Sequence, residues 1–199
     1  MSTDKRHVLA RVPSGDGWAL DLGGGAGTLR GALVERGYRY ANLDLAPDGR
    51  GAVRGDAHRA PFRDGSLSLI VSSDSLEHFP DPRTALAEAR RMLDAGGTLV
   101  IWVPFLHPFH GDDFYRYTPL GLRTLLSEAG FLIDSLEAPL WVTSVMAQAF
   151  VEVLRRIHLG SLEKPIEKAA AWIDGRLARF QGSSLSFAEA YLVVARPEG

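Results

Sequence analysis

Asp21, Gly23, Gly25 and Gly27 stand at alternate positions in "WALDLGGGAGTLRGALVERGY", residues 18–38, where an apolar stretch runs into glycines and then into a helical pattern. A glycine turn between the first strand and its helix lets the backbone come close to a ligand at the carboxyl end of a parallel sheet. The dinucleotide fingerprint G-x-G-x-x-G fails: Gly23 and Gly25 lead to Thr28, and Gly25 and Gly27 lead to Arg30. A phosphate loop fails as well, because no Lys followed by Ser or Thr opens the helix. Asp21 would repel a pyrophosphate, so this spacing suits a ligand that carries a cation.

Two further carboxylates extend the pattern. Asp44, in "NLDL" at the end of a second strand, is placed to accept hydrogen bonds from both hydroxyls of a ribose. Asp56, in "GDAHRAPF" just past a third strand, can accept from an exocyclic amine such as that of adenine. Any one of these taken alone reads as a loop-capping Asp. Three in register imply a nucleoside.

A second concentration is "PFLHPFHGDDFYRYTP", residues 104–119, which gathers His107, His110, Asp112, Asp113, Tyr115, Arg116 and Tyr117 after a fifth strand. It reads either as a substrate loop or as a connection that hydrogen-bonds to itself. His107 and His110 with Asp112 or Asp113 offer N and O ligands, but their spacing does not predict a closed or three-ligand metal geometry, so no metal is assigned.

The elements that must position these residues alternate between strand and helix, the order of an α/β sheet with crossover helices. Strands are expected at 18–22, 40–45, 52–56, 67–73 and "TLVIWVP", with two more in "FLIDSLEA" and "AEAYLVVARP". A helix should run from about Thr28 to Arg36, with Gly37 ending it. Another should start at Asp81 and Pro82 and stop at Gly96; a third should use Thr118 as cap, Pro119 next and Gly130 as terminator. The helix before the third strand is nearly missing, since "APDGRG" is too short and too rich in Gly and Pro. Between the last two strands, Val142, Val145, Met146, Ala149, Phe150, Val153, Leu154 and Ile157 recur at helical spacing, and Ile166, Ala170, Ile173, Leu177 and Phe180 continue it after Pro165. This predicts a helical hairpin insertion at about 141–180. Its apolar faces are expected to pack on the sheet or on each other, with a lid, a dimer surface and a membrane-surface helix as the other uses.

Composition narrows the function classes. The chain has 199 residues, is 46% hydrophobic and carries a net charge of −2, which suits one domain (1–199) and gives no electrostatic reason to expect nucleic acid. It has no cysteine, so neither disulfides nor thiolate chemistry can contribute. The most apolar late stretch contains Gln148 and Glu152 and is shorter than the ~20 residues a span needs. A cytoplasmic, soluble protein is expected.

In order and spacing, "LDLGGGAG", "NLDL", "GDAHRAPFRDGSLSLIVSSDSLEHFPDP" and "ARRMLDAGGTLVIWVP" resemble the class I S-adenosylmethionine-dependent methyltransferases, especially the small-molecule type 11 group, over about residues 18–131. The resemblance implies a doubly wound, Rossmann-like sheet of seven strands with the last antiparallel, and S-adenosyl-L-methionine as cofactor. It implies that Asp21, Gly23, Gly25 and Gly27 form the turn under the methionine and ribose, that Asp44 holds the ribose hydroxyls, and that Asp56 and Ala57 meet the adenine. Ser73 would approach the methionine part and His78 would stand beside the cofactor. The chain departs from the family at Ser68, where an acidic residue is usual, and in the missing helix before the third strand.

Methyl transfer chiefly demands alignment and exclusion of water, and a base helps if the acceptor is a hydroxyl. His107, His110 and Tyr117 are the expected catalytic residues. Relatives with a D-x-x-R-Y/F-T-P stretch here often belong to glycan or lipid-linked sugar assembly, which implies a polar, hydroxyl-rich small-molecule acceptor. The alternatives are a catalytically inactive cofactor-binding partner or regulator and, disfavoured by the glycine spacing, a dehydrogenase-like nucleotide binder. Homodimerisation through the helical insertion is the expected self-association, if there is any.

Overall fold

The computed structural model describes residues 3–48, 52–107, 111–140, 142–157, 160–177 and 188–199. Strands β1 (Trp18–Leu22), β2 (Arg39–Asp44), β3 (Ala52–Arg54), β4 (Leu67–Ser73), β5 (Leu93–Pro104), β6 (Phe131–Glu137) and β7 (Ala190–Pro197) form one seven-stranded sheet in the order β3-β2-β1-β4-β5-β7-β6. β1 pairs in parallel with β2 on one side and with β4 on the other, so strand order reverses at β1. β7 is antiparallel to both β5 and β6. This is the doubly wound architecture that the sequence implies.

Alternation along the strands sends successive side chains to opposite faces. Leu20, Leu22 and Ile70 join one core, closed by Ala85, Leu86, Ala89 and Met92 of helix α3 (Pro82–Met92) and by Leu122, Leu125 and Leu126 of α4 (Pro119–Glu128). Ala19, Leu69, Val71 and Trp102 join the other, closed by Leu33 of α2 (Arg30–Glu35) and by Val8, Leu9 and Val12 at α1 (Thr3–Arg11). The expected caps form: Asp81 accepts from the Thr84 N–H, and Thr118 from the Gly121 N–H.

Two helix boundaries and one whole helix differ from expectation. Gly96 does not end α3: the helix stops at Met92, and Leu93 turns to φ −72°, ψ 137° to pair with Leu67. Met92 and Leu93 are both buried, so the sheet takes the chain before the glycines arrive, and Asp94–Gly97 becomes a bulge ahead of the Thr98 register. α2 starts at Arg30 instead of Thr28, because Gly27 at φ +68° holds the turn outside helical space. α1 was not foreseen, since its few apolar residues are outnumbered by charged and polar ones.

The hairpin insertion is present as α5 (Val142–Arg156) and α6 (Glu163–Leu177). The expected apolar stripe is mostly not the buried face: of it Leu154 is buried, whereas Met146, Phe150, Val153 and Ile157 are more than half exposed, and Ala147 and Val151, outside that stripe, are buried with Leu154 instead. Ala147, Val151, Leu154 and Ala170 belong to neither main core, so the two helices are buried chiefly against each other. Phe180 lies outside the described residues. Among the described residues, no helix is long and apolar enough to cross a membrane.

The turn that returns α2 to β2 tests this account. Gly37 has φ +97°, and a Cβ there would lie 2.3 Å from the Gly15 carbonyl oxygen, whereas a Cβ on Gly65, at φ +59°, would meet open space. Gly65→Ala should cost about 1 to 2 kcal/mol, the penalty of left-handed backbone alone, and Gly37→Ala should cost clearly more in urea unfolding. Equal losses would show that the Gly15 contact carries no energy.

Candidate functional site

Every second residue of β2 braces the glycine turn. The Tyr40 hydroxyl donates to Asp21 (2.8 Å), the Asn42 amide donates to the Gly25 carbonyl (2.8 Å), and the Gly25 N–H donates to Asp44 (2.8 Å). Gly23, Gly25 and Gly27 have φ of +74°, +48° and +68°, which side-chain-bearing residues rarely adopt. At Gly23 a Cβ would also strike Ser75, and at Gly24 it would strike Asp21, whereas at Gly25 nothing comes closer than Asp44 Oδ2 at 3.9 Å. The turn is thus packed from beneath and open above Gly25. Asp21 is 2% exposed, and burial pushes its carboxyl up to about 6, although the Tyr40 hydroxyl pulls it down. It supports the turn from below.

Above the turn lies a hollow of about 230 Å³ lined by Gly23, Asp44, Asp56, Ala57 and His78 from the expected set, and also by Leu45, His58, Asp74, Ser75 and Phe79. Asp44 keeps its carboxylate at the rim by accepting from the Gly25 and Ala46 N–H groups. Asp56 caps a short turn, and hydrogen bonds from the His58 backbone and side chain hold its carboxyl below the usual range. Acidic acceptors at both ends, a glycine floor and Phe79 as an apolar wall suit an adenosyl group. Ser73 is not part of this lining; its hydroxyl donates to Asp74 (3.3 Å), and the next two residues face the hollow instead. Asp74 sits at φ +52°, the one non-glycine positive φ among the described residues. That conformation turns the chain outward at the strand end.

Asp74 also lines a second hollow, of about 250 Å³, together with Asp4, Trp102, Pro104, His107 and Glu189. His107 Nδ1 lies 3.2 Å from Glu189 Oε1, and this hydrogen bond raises the imidazole above its usual range against the opposing effect of burial. Asp4 reaches the hollow from α1, and its carboxyl is raised by burial and then by the negative charge of Glu189. Neither Asp4 nor Glu189 carries a motif in the sequence. Only the fold brings them to His107.

Residues 111–119 fold back on themselves and on the segment after β4. The Phe114 N–H donates to the Glu77 carbonyl (2.9 Å), Arg116 pairs with Asp113 (2.6 Å), and His78 Nδ1 lies 3.2 Å from Asp113. Glu77 is fully buried there and pushed up to about 8 by desolvation. Tyr117, expected at the acceptor, is 7% exposed in the main core, and its hydroxyl donates to the Leu76 carbonyl (3.0 Å). Burial raises its phenol well above the ordinary range. It lines neither of these two hollows but, with Tyr115 and Thr118, a third of about 450 Å³, and its hydroxyl is engaged by Leu76. His110 lies outside the described residues.

Residues 20–101 match the family model described as a methyltransferase domain. Over that segment the chain is similar to a methyltransferase domain. An uncharacterized methyltransferase of Mycobacterium sp. (strain KMS) is 31% identical over 124 residues, covering 57% of this chain and 49% of that protein. The chain therefore spans about half the length of the curated relatives it matches. The S-adenosylmethionine dependent methyltransferase from Mesorhizobium loti superposes with a TM-score of 0.62 at 18% identity, covering 96% of each chain. The [4+2]-cyclase SpnF superposes at 0.66 with 20% identity, covering 98% of this chain and 81% of that one. Likeness at this level establishes the fold.

Asp44 is the carboxylate that the turn fixes at the rim of the first hollow. Asp44→Ala should weaken S-adenosylhomocysteine binding by about 2 to 4 kcal/mol in calorimetric titration, the worth of two hydrogen bonds to a charged acceptor with some water compensation. An unchanged dissociation constant would remove Asp44 from the site. Gly25→Val should abolish binding and lower the melting temperature, since it strains φ and fills the open side of the turn.

Proposed function

We propose that this protein transfers a methyl group from S-adenosylmethionine to a hydroxyl of a polar small molecule. The observation that carries the reading is Asp74, which lines both hollows and so marks where a cofactor in the first would meet an acceptor in the second. A mildly acidic chain favours a small acceptor over nucleic acid, which needs a basic track.

In this reading Asp44 holds the ribose hydroxyls, Asp56 and Ala57 face the adenine, and the turn at Gly23 and Gly25 lies under the ribose and methionine. When bound, S-adenosylmethionine supplies an electrophilic methyl group on a sulfonium sulfur. His107 is the base. With Nδ1 engaged by Glu189, the imidazole takes the acceptor's hydroxyl proton at Nε2, and the carboxylate stabilises the imidazolium that forms. Trp102 and Pro104 wall the second hollow with apolar surface that limits water.

Titration of the full chain with S-adenosylmethionine, S-adenosylhomocysteine and NAD tests the cofactor; tighter binding of NAD would overturn the reading. Turnover then separates an enzyme from an inactive binder or regulator. His107→Ala should lower kcat about 100-fold to 10,000-fold with little change in cofactor affinity, the range expected when a base is lost. The pH profile gives an independent check. His107 must be neutral to accept a proton, and its partner raises it above 6.5, so activity should climb with pH through a limb above that value. Glu189→Gln removes the hydrogen-bonded charge and should move the limb downward, while Asp4 and Asp74 continue to hold it up in part. A limb that stays in place in Glu189→Gln would exclude His107 as the titrating base.

A further inference from the structure

The first hollow is bounded on one side by the turn after β3 and on the other by the segment after β4. The former has little to hold it. β3 is a three-residue strand at the edge of the sheet, and the Asp56 side chain two residues beyond it is 53% exposed, so packing does not set its rotamer. His58 does. Its backbone N–H donates to Asp56 Oδ1 (2.9 Å), and its ring Nδ1 lies 2.5 Å from the same oxygen. Both bonds converge on Oδ1, which leaves Oδ2 for a ligand.

The other ring nitrogen fixes the tautomer. The Asp81 backbone N–H donates to His58 Nε2 (3.4 Å), and a backbone N–H can only donate, so Nε2 carries the lone pair. In the neutral imidazole the proton is then on Nδ1, where the carboxylate accepts it in a hydrogen bond. The ring also stands edge-on to Phe79, with centroids 5.9 Å apart at 66°. Asp81 is the N-cap of α3, so one imidazole ties the exposed carboxylate to a helix end and to the apolar wall of the hollow. The backbone and then the ring of His58 hold the Asp56 carboxyl below its usual range, the sign expected of an ionised acceptor.

We propose that His58 is a positioning residue that makes the first hollow select a 6-aminopurine: it holds Asp56 by Oδ1 so that Oδ2 accepts the exocyclic amine of the base. This rests on the reading of that hollow as the cofactor site with Asp56 at the adenine. A 6-oxopurine puts a carbonyl oxygen where the amine would be, and two acceptors then face each other with no proton between them. A carboxylate free to swing escapes that clash by reaching the N–H beside the carbonyl. A carboxylate held by His58 does not.

The test titrates S-adenosylhomocysteine and S-inosylhomocysteine, which carry the 6-amino and the 6-oxo base, into the full chain. The unaltered chain should prefer the adenosyl compound at least about tenfold, the scale of one charge-assisted hydrogen bond. Asp56→Ala should abolish the preference. His58→Ala should cut it about threefold or more, and His58→Asn, whose amide N–H stands near the place of Nδ1, should restore most of it. Loss of a merely structural support would weaken both compounds alike and leave their ratio unchanged. Circular dichroism establishes that each variant is folded, and His58→Phe, which keeps a ring against Phe79 without either nitrogen, replaces His58→Ala if the latter is not. A ratio that falls in Asp56→Ala but holds in the folded variant lacking both nitrogens overturns the proposal, as does a His58→Asn ratio no better than that variant's. A ratio that survives Asp56→Ala, or is near one in the unaltered chain, overturns instead the placing of Asp56 at the adenine. Failure of the unaltered chain to bind either compound overturns the cofactor reading itself.

Discussion

The ligand end of this protein depends on the hydrogen bond from the Gly25 N–H to the Asp44 carboxylate. It ties the first strand-to-helix turn to the end of the neighbouring strand across the point where strand order reverses. Tyr40 and Asn42 hold the same turn from one face of the same strand. Strand periodicity turns three alternate residues into one scaffold, and the left-handed glycines let the chain follow it. Without that clamp the Ala46 N–H would be left to hold the Asp44 carboxylate at the rim.

The second hollow is built differently. No single turn organises it; α1, the end of β4, the residues after β5 and the residue before β7 converge on Asp74 and His107. The antiparallel insertion of β7 between β5 and β6 is what carries Glu189 there, through Phe105 N–H donating to the Glu189 carbonyl (2.7 Å). α1 delivers Asp4 because Val8, Leu9 and Val12 bury against the sheet face that also holds Trp102. Packing of apolar residues thus determines where charges meet.

Much of this was legible from local pattern. Gly23, Asp44, Asp56, Ala57 and His78 were singled out from spacing and resemblance, and all of them line the first hollow. The Thr118 and Asp81 caps and the two helices between β6 and β7 were readable for the same reason: each is encoded within a few residues. The end of α3 was misread because the burial of Met92 and Leu93 outweighed the stop signal at Gly96. Tyr117 was misplaced because a tyrosine in a polar loop looks chemical until its hydroxyl is seen to be spent on Leu76.

The sequence by itself determined the strand order's chemistry at the cofactor side: which turn must be glycine, which strand ends must be acidic, and which segments alternate between strand and helix. These are short-range properties, set by backbone sterics and by side-chain periodicity. Only the tertiary structure decided that Asp4, Asp74, His107 and Glu189 share one hollow. Their meeting spans nearly the whole chain and is fixed by sheet order and helix packing. Contacts of that range leave no mark in local spacing, because the free energy that makes them comes from burying residues elsewhere.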